Sequence, residues 1–120
     1  MTKDVPRPGR PVRGSTSGRP IMAALDLLGR RGALSVLVAL QPGPSTFRAL
    51  QTTAGELSAS TLNTRLRELR AVGLVDRGSD GYELSVDGAA LIDAGQPLLS
   101  WAERWARQLP ETLDTQSQDT

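Results

Sequence analysis

A chain of 120 residues with a formal charge of +1, no cysteine and no histidine has room for one small domain with tails. The two missing residue types remove disulfides, thiolate ligands, thiol switching, the commonest general base and the commonest metal ligand, so neither an enzyme nor a cofactor site is expected. No apolar run approaches the roughly 18 residues that span a bilayer, and no apolar signal core follows the basic N-terminus, so the expectation is a cytoplasmic protein.

The small net charge conceals an asymmetry. Residues 1–19 carry Lys3, Arg7, Arg10, Arg13 and Arg19 against Asp4, residues 110–120 carry Glu111, Asp114 and Asp119 without a base, and residues 20–109 are balanced between arginines and acids. Any affinity for a polyanion such as DNA would therefore have to come from local clustering. Met1–Arg19 is rich in Pro, Gly and Arg with no apolar period and reads as a disordered or extended basic arm. Such an arm touches phosphates or the minor groove, or only solubilises the chain.

Pro20 opens a first helix over about Ile21–Leu28, with Ile21, Leu25 and Leu28 in register. The Gly29-Arg30-Arg31-Gly32 turn ends it, and its arginines face a DNA backbone or simply water. A second helix, about Ala33–Leu40, is apolar nearly all round and therefore central and buried. After the Gln41–Pro44 turn, Ser45–Phe47 forms a very short strand and a third helix covers about Arg48–Ala54. Thr46 and Arg48 at its start suit a phosphate contact or a plain cap.

The stretch Ser58–Val75 is the most informative. Ser58 caps a helix over about Ala59–Val72 whose Leu62, Leu66 and Leu69 share one face, while Ser60, Asn63, Thr64 and Arg67 lie on the other. Gly73 stops it. A core-facing stripe backed by short hydrogen-bonding and cationic side chains is what a major-groove helix requires; an ordinary amphipathic surface helix shares the same period. Arg can read guanine and Asn adenine through paired hydrogen bonds. Arg65 lies on the flank, where it grips a phosphate, pairs with Glu68 or Glu56, or reads a base.

A hairpin signal follows, with Leu74–Arg77 and Tyr82–Val86 around Gly78-Ser79-Asp80-Gly81. Arg77 at its base is the best phosphate or minor-groove candidate, Ser79 and Tyr82 are lesser ones, and Asp80 at the tip opposes DNA. Ser85 caps a helix over about Val86–Ala94. Gly95-Gln96-Pro97 is expected to kink or break it before a last helix, about Pro97–Leu109, with Leu98, Trp101, Ala102, Trp105 and Leu109 on one stripe. The fold class that follows is mainly α with a small β-hairpin: a winged helix-turn-helix with an additional C-terminal helix over residues 20–109, flanked by a basic arm (1–19) and an acidic tail (110–120).

Several stretches resemble the HxlR-type winged-helix regulators of bacteria in order and spacing. These are Pro20-Ile21 with Leu25, Leu28 and Gly29; Gly43-Pro44 with Phe47 and Leu50; Ser58, Thr61-Leu62 and Arg65-Leu66-Arg67-Glu68-Leu69; Gly73-Leu74-Val75; and Tyr82, Leu84, Ser85, Gly88, Leu91 and Trp101. The resemblance spans about residues 20–107 and is most specific over Thr61–Leu69. It implies a transcriptional regulator whose partner is double-stranded DNA, contacted by Ser60, Thr61, Asn63, Thr64, Arg65, Arg67, Thr46, Arg48, Arg31 and Arg77. It also implies a homodimer through the first and last helices, at Ile21, Leu25, Leu28, Leu98, Trp101 and Trp105. Each tryptophan buries about 150–250 Å², which suits an interface as well as a core. A two-fold dimer would set its recognition helices one DNA turn apart, about 34–36 Å, on a pseudo-palindromic site.

Two positions depart from the family pattern. Arg19 stands where many members carry a sensing cysteine, and Gly32 stands where a tryptophan is usual. The second departure leaves a gap that neighbours fill or a ligand occupies. Two other readings of the chain remain at this point: a winged-helix module that binds a protein partner, and a regulator with a small-molecule effector pocket near Gly32 and Trp101, between the first and last helices.

Overall fold

The computed structural model describes residues 5, 6, 8 and 19–110. In chain order the elements are α1 (Pro20–Leu28), α2 (Ala33–Ala39), α3 (Phe47–Thr53), α4 (Ala59–Ala71), β1 (Val75–Gly78), β2 (Gly81–Leu84) and α5 (Val86–Gln108). The strands form one antiparallel hairpin in which Val75 faces Leu84 and Arg77 faces Tyr82. The expected strand near Ser45 is reduced to a single bridge: Ser45 and Tyr82 exchange backbone hydrogen bonds of 2.9 and 2.8 Å. That bridge fastens the hairpin to the start of α3.

The core is built from the helix stripes. α2 contributes Val36 and Leu37 with Leu40 just beyond it, α3 contributes Leu50 with Ala54, and α4 contributes Leu62, Leu66 and Leu69. Leu27, Val75, Tyr82 and Ile92 complete the cluster from α1, β1, β2 and α5. α2 therefore lies at the centre, touching α1, α3, α4 and α5, as expected of a helix apolar on most sides. Serine and threonine caps fix the helix starts: Thr46 Oγ1 accepts from Ala49 N–H, Ser58 Oγ from Thr61 N–H, and Ser85 Oγ from Gly88 N–H. Ser85 Oγ also donates to the Gly73 carbonyl at 2.6 Å, tying the exit of α4 to the entry of α5.

Two expectations are corrected. The C-terminal helix is one element, not two: α5 runs unbroken through Pro97. Proline there removes one N–H bond and crowds the Asp93 carbonyl, but Asp93, Ala94 and Pro97 are exposed, so water can satisfy the freed acceptor. The loop of the hairpin is Ser79-Asp80 alone, because Gly78 and Gly81 are already paired. Of the two readings left open at Gly32, filling by a neighbour is the one observed: Leu57 occupies the space, and a Cβ on this left-handed residue (φ 83°) would strike its Cδ1. Of the basic arm, Val5 and Pro6 are buried and Val5 joins the core cluster. The rest of the arm, Pro8 and Arg19 excepted, and the acidic tail from residue 111 lie outside the described residues.

Removing Leu66, at the middle of the α4 stripe, should cost about 2–5 kcal/mol of stability as a transfer term plus a cavity. Chemical denaturation of Leu66→Ala measures it, and a loss below about 1 kcal/mol would show that α4 is not anchored through this stripe.

Candidate nucleic-acid interface

The packing of α4 dictates what its other side presents. With Leu62, Leu66 and Leu69 inward, Ser60, Asn63, Arg67 and Arg70 are exposed and Thr64 is half-buried. Residues three and four apart adjoin on a helix surface, so Ser60, Asn63, Arg67 and Arg70 form one continuous row along α4. α3 runs before this helix, joined through Gly55 and Glu56, both with left-handed backbone (φ 94° and 56°), which turns the chain sharply between the two.

Past the C-terminus of α4 the row continues. Arg67, Arg70 and Ala71 line an open cleft together with Val75, Asp76 and Arg77 from β1. The Arg77 guanidinium lies 5.3 Å from the centre of the Tyr82 ring on the paired strand, a cation–π contact that holds its stem at the base of the wing. Three guanidiniums thus flank one cleft between helix and wing, with Asp76 as the acid among them. Arg70 was not among the candidates from sequence; the signal was its spacing of three from Arg67, on the same face.

The other candidates divide. Arg31 and Arg48 are exposed on the loop before α2 and on α3. Thr46 is the cap of α3, its hydroxyl accepting at 3.1 Å from Ala49 N–H. Thr61 also belongs to a cap, because its hydroxyl accepts at 3.0 Å from Ser58 Oγ. Arg65 is engaged within the protein: Nη1 donates to Glu68 Oε1 at 2.7 Å and Nε donates to the Arg31 carbonyl at 2.7 Å. Of the roles open to it from sequence, pairing with Glu68 is the one the structure adopts. Arg30 likewise meets Glu68, through Nη1 to Oε2 at 2.8 Å, instead of facing outward with Arg31.

The candidate dimer residues divide as well. Ile21 and Leu25 are exposed on α1, Ile21 by 60 %, whereas the inward face of that helix is Ala23 and Leu27 and Leu28 packs partly against the core. On α5 no residue beyond Ile92 is buried. Leu98, Trp101, Trp105 and Leu109 are exposed there, the tryptophans by 48 % and 51 %, and their rings stack at 5.4 Å with 9° between planes.

Comparison with known proteins places this arrangement. The HxlR-like helix-turn-helix family matches residues 27–110. The chain belongs to this family. Among solved structures, quinone-bound YodB from B. subtilis is 31 % identical, with a TM-score of 0.66 over 70 % of this chain and 96 % of that one. The reduced form of YodB, a transcriptional regulator, is 27 % identical, with a TM-score of 0.68 over 75 % and 95 %. A possible HxlR family transcriptional factor from Thermoplasma volcanium GSS1 is 26 % identical, with a TM-score of 0.62 over 71 % and 83 %. No curated protein sequence matches. The HxlR family is one of DNA-binding transcriptional regulators, and the winged helix-turn-helix fold with a C-terminal helix is shared with these structures. Among the described residues no helix is long and apolar enough to cross a membrane.

Arg65→Ala should act on stability first. It strips a mostly buried carboxylate of one partner and leaves the Arg31 carbonyl without its donor, a loss of about 1–3 kcal/mol. At about 4–8 °C per kcal/mol for a domain of this size, the thermal midpoint should fall measurably; an unchanged midpoint would mean that the inward contacts of Arg65 contribute nothing.

Proposed function

We propose that this HxlR-like protein is a homodimeric, sequence-specific repressor that reads a pseudo-palindromic site through α4. The observation that carries the reading is the exposed row Ser60–Asn63–Arg67–Arg70 on a helix whose opposite side is fixed in the core. Ser60, Asn63, Thr64 and Arg67 supply the base-edge hydrogen bonds. Arg70, Arg77, Arg48 and Arg31 neutralise phosphates on either side, and phosphate contacts set register without reading sequence. Thr46 as the cap of α3, and Thr61 as the partner of the Ser58 cap, orient the backbone at the starts of α3 and α4. The wing adds little, since Asp80 at its tip repels the duplex. Repression would be steric, the bound dimer excluding polymerase from the promoter.

The second copy of the chain is the partner proposed for α5 and α1. Among the described residues no side chain of α5 beyond Ile92 is buried, yet this half carries Leu98, Trp101 and Trp105, with Leu109 just past its end. Two tryptophans half in water leave a large apolar area exposed. Pairing this half-helix, with Ile21 and Leu25 of α1, against the same surface of a partner covers it with two-fold symmetry. Trp105→Glu should then convert a dimer into a folded monomer by sedimentation at micromolar concentration, since Trp105 lies outside the core; a variant that stays dimeric would place the interface elsewhere.

Control by a thiol is outside the chemistry of this sequence, which has no cysteine. A small uncharged effector is the second reading, favoured by one cavity. Ala23, Ala24 and Leu27 of α1, Leu91 of α5, Val72, Leu74, and Pro6, Pro8 and Pro20 line a space of about 190 Å³ between the first and last helices. The neighbour YodB has been captured with a quinone, a compact molecule of the kind such an apolar space would admit.

Fluorescence anisotropy with DNA from upstream of the protein's own gene, against scrambled competitor at two salt concentrations, tests the main reading. The expected outcome is a preference of at least about a thousandfold for the upstream DNA. Binding that ignores sequence and vanishes with added salt would reduce the interaction to electrostatics. Within that assay Arg67→Ala should cost about 1–3 kcal/mol and relax one base preference, while Arg70→Ala should weaken all sequences alike and lower the salt slope by about one. Loss from Arg67→Ala that is uniform across sequences would remove its base-reading role.

A further inference from the structure

One acid of the recognition helix is buried where its neighbours are leucines. Glu68 is 8 % exposed, and its two carboxylate oxygens grip two different arginines: Oε2 accepts from Arg30 Nη1 at 2.8 Å and Oε1 from Arg65 Nη1 at 2.7 Å. Each arginine leads back to the loop between α1 and α2. Arg30 belongs to that loop and stands 3.7 Å from Asp26 of α1 through its other terminal nitrogen. Arg65 Nε donates to the Arg31 carbonyl of the same loop at 2.7 Å. All four side chains are mostly buried. Two bonds therefore tie the loop to α4, Glu68 to Arg30 directly and Arg65 to the Arg31 carbonyl, with Glu68 also holding Arg65 along the helix; the loop fits because Gly32 sits against Leu57 with no Cβ between.

A buried ion pair is weak evidence for stability, because desolvation consumes most of the attraction. Its distinctive property is direction. The stripe Leu62–Leu66–Leu69 selects which side of α4 faces inward, but leucine contacts tolerate small rotations and slides along the axis. Charge-assisted hydrogen bonds of 2.7–2.8 Å are lost with such displacements. Base reading is equally intolerant, since bidentate contacts need the side chains of the helix in register with the base edges.

We propose that Glu68 is a positioning residue for DNA recognition: held between Arg30 and Arg65, it fixes the rotation and axial register of α4 against the α1–α2 loop and so sets sequence discrimination without touching DNA. The inference rests on the reading of α4 as the DNA-reading helix. It also assigns Arg65 a second consequence. Glu68 keeps that guanidinium from reaching a phosphate, so loss of the acid raises affinity for any sequence while lowering the preference for one.

The test uses full-length protein and a duplex enriched by the wild type from a randomised pool, against a scrambled duplex. Glu68→Gln and Arg30→Met should each lower the specific-to-scrambled affinity ratio at least about tenfold, with the double variant no worse than either alone, as expected of groups acting together. Arg30→Lys, which keeps a single N–H···O contact to Oε2, should restore the ratio to within about threefold of wild type. For Glu68→Gln, binding to scrambled duplex should hold or tighten and its salt slope should steepen by about one. A merely structural role would instead weaken both duplexes in proportion to the folded fraction. A folded Glu68→Gln that keeps the ratio would overturn the proposal; if that variant does not fold, equal ratios for Arg30→Met and Arg30→Lys would do so. Residual dipolar couplings supply a readout without DNA: α4 amide vectors should reorient or spread relative to α2 in Glu68→Gln, and an unchanged orientation also overturns it. Failure of the DNA reading is recognised separately, as a wild type that enriches no sequence.

Discussion

The face proposed to read DNA depends on how the leucine stripe of α4 is seated. Leu62, Leu66 and Leu69 pack with Val36, Leu37 and Leu40 of the central α2 region and with Leu50 of α3. Each fully buried leucine is worth about 1.5–3 kcal/mol, against a total stability of only about 5–15 kcal/mol for a domain. The stripe therefore decides which half of α4 faces water, and the caps at Ser58 and Thr46 decide where α4 and α3 begin. The polar row Ser60–Asn63–Arg67–Arg70 is the necessary complement of that packing. The Glu68 clamp adds direction to what the leucines supply as adhesion.

Burial and charge are divided along the chain with similar economy. Residues 20–109 are electrically balanced, yet their acids and bases are not mixed evenly in space. Asp26 and Glu68 are turned to Arg30 and Arg65 inside the protein, which leaves Arg67, Arg70 and Arg77 around one cleft with Asp76 as the acid that lines it. A neutral domain can thus carry a locally cationic track, and local potential, not net charge, steers an anionic polymer to a surface. The apolar counterpart is α5. Its first turns, through Gly88 and Ile92, belong to the core, and its remaining turns carry their tryptophans away from it.

Most of the fold was legible in the sequence because periodicity and capping agreed. The α4 segment had a serine cap, a clean stripe and a terminating glycine, and its observed bounds differ from expectation by one residue. α2 was legible as central because it is apolar on nearly every side. The misreadings share a cause: each concerned a contact distant in sequence or a local rule that context overrode. Pro97 argued for a break, but a solvent-exposed helix side tolerates the orphan carbonyl it creates. Gly32 left two readings open, and Leu57, brought in by the α3–α4 turn, decides for the filled one. The site was half legible. Asn63 and Arg67 followed from the helical face, and the Arg65–Glu68 pair from its spacing of three, but the bond from Arg30 to Glu68 spans 38 positions and had no local signal.

The surface that meets DNA is the decisive property of this molecule. Backbone amide NMR of the isotope-labelled protein, titrated with its enriched duplex, addresses this directly. The largest shifts should fall on Ser60, Asn63, Thr64, Arg67 and Arg70, with smaller ones at Arg31, Arg48 and Arg77 and none specific to the Trp101–Trp105 turn. Shifts centred on α5 with α4 unperturbed would contradict the account and make the C-terminal helix, not the recognition row, the working surface of this protein.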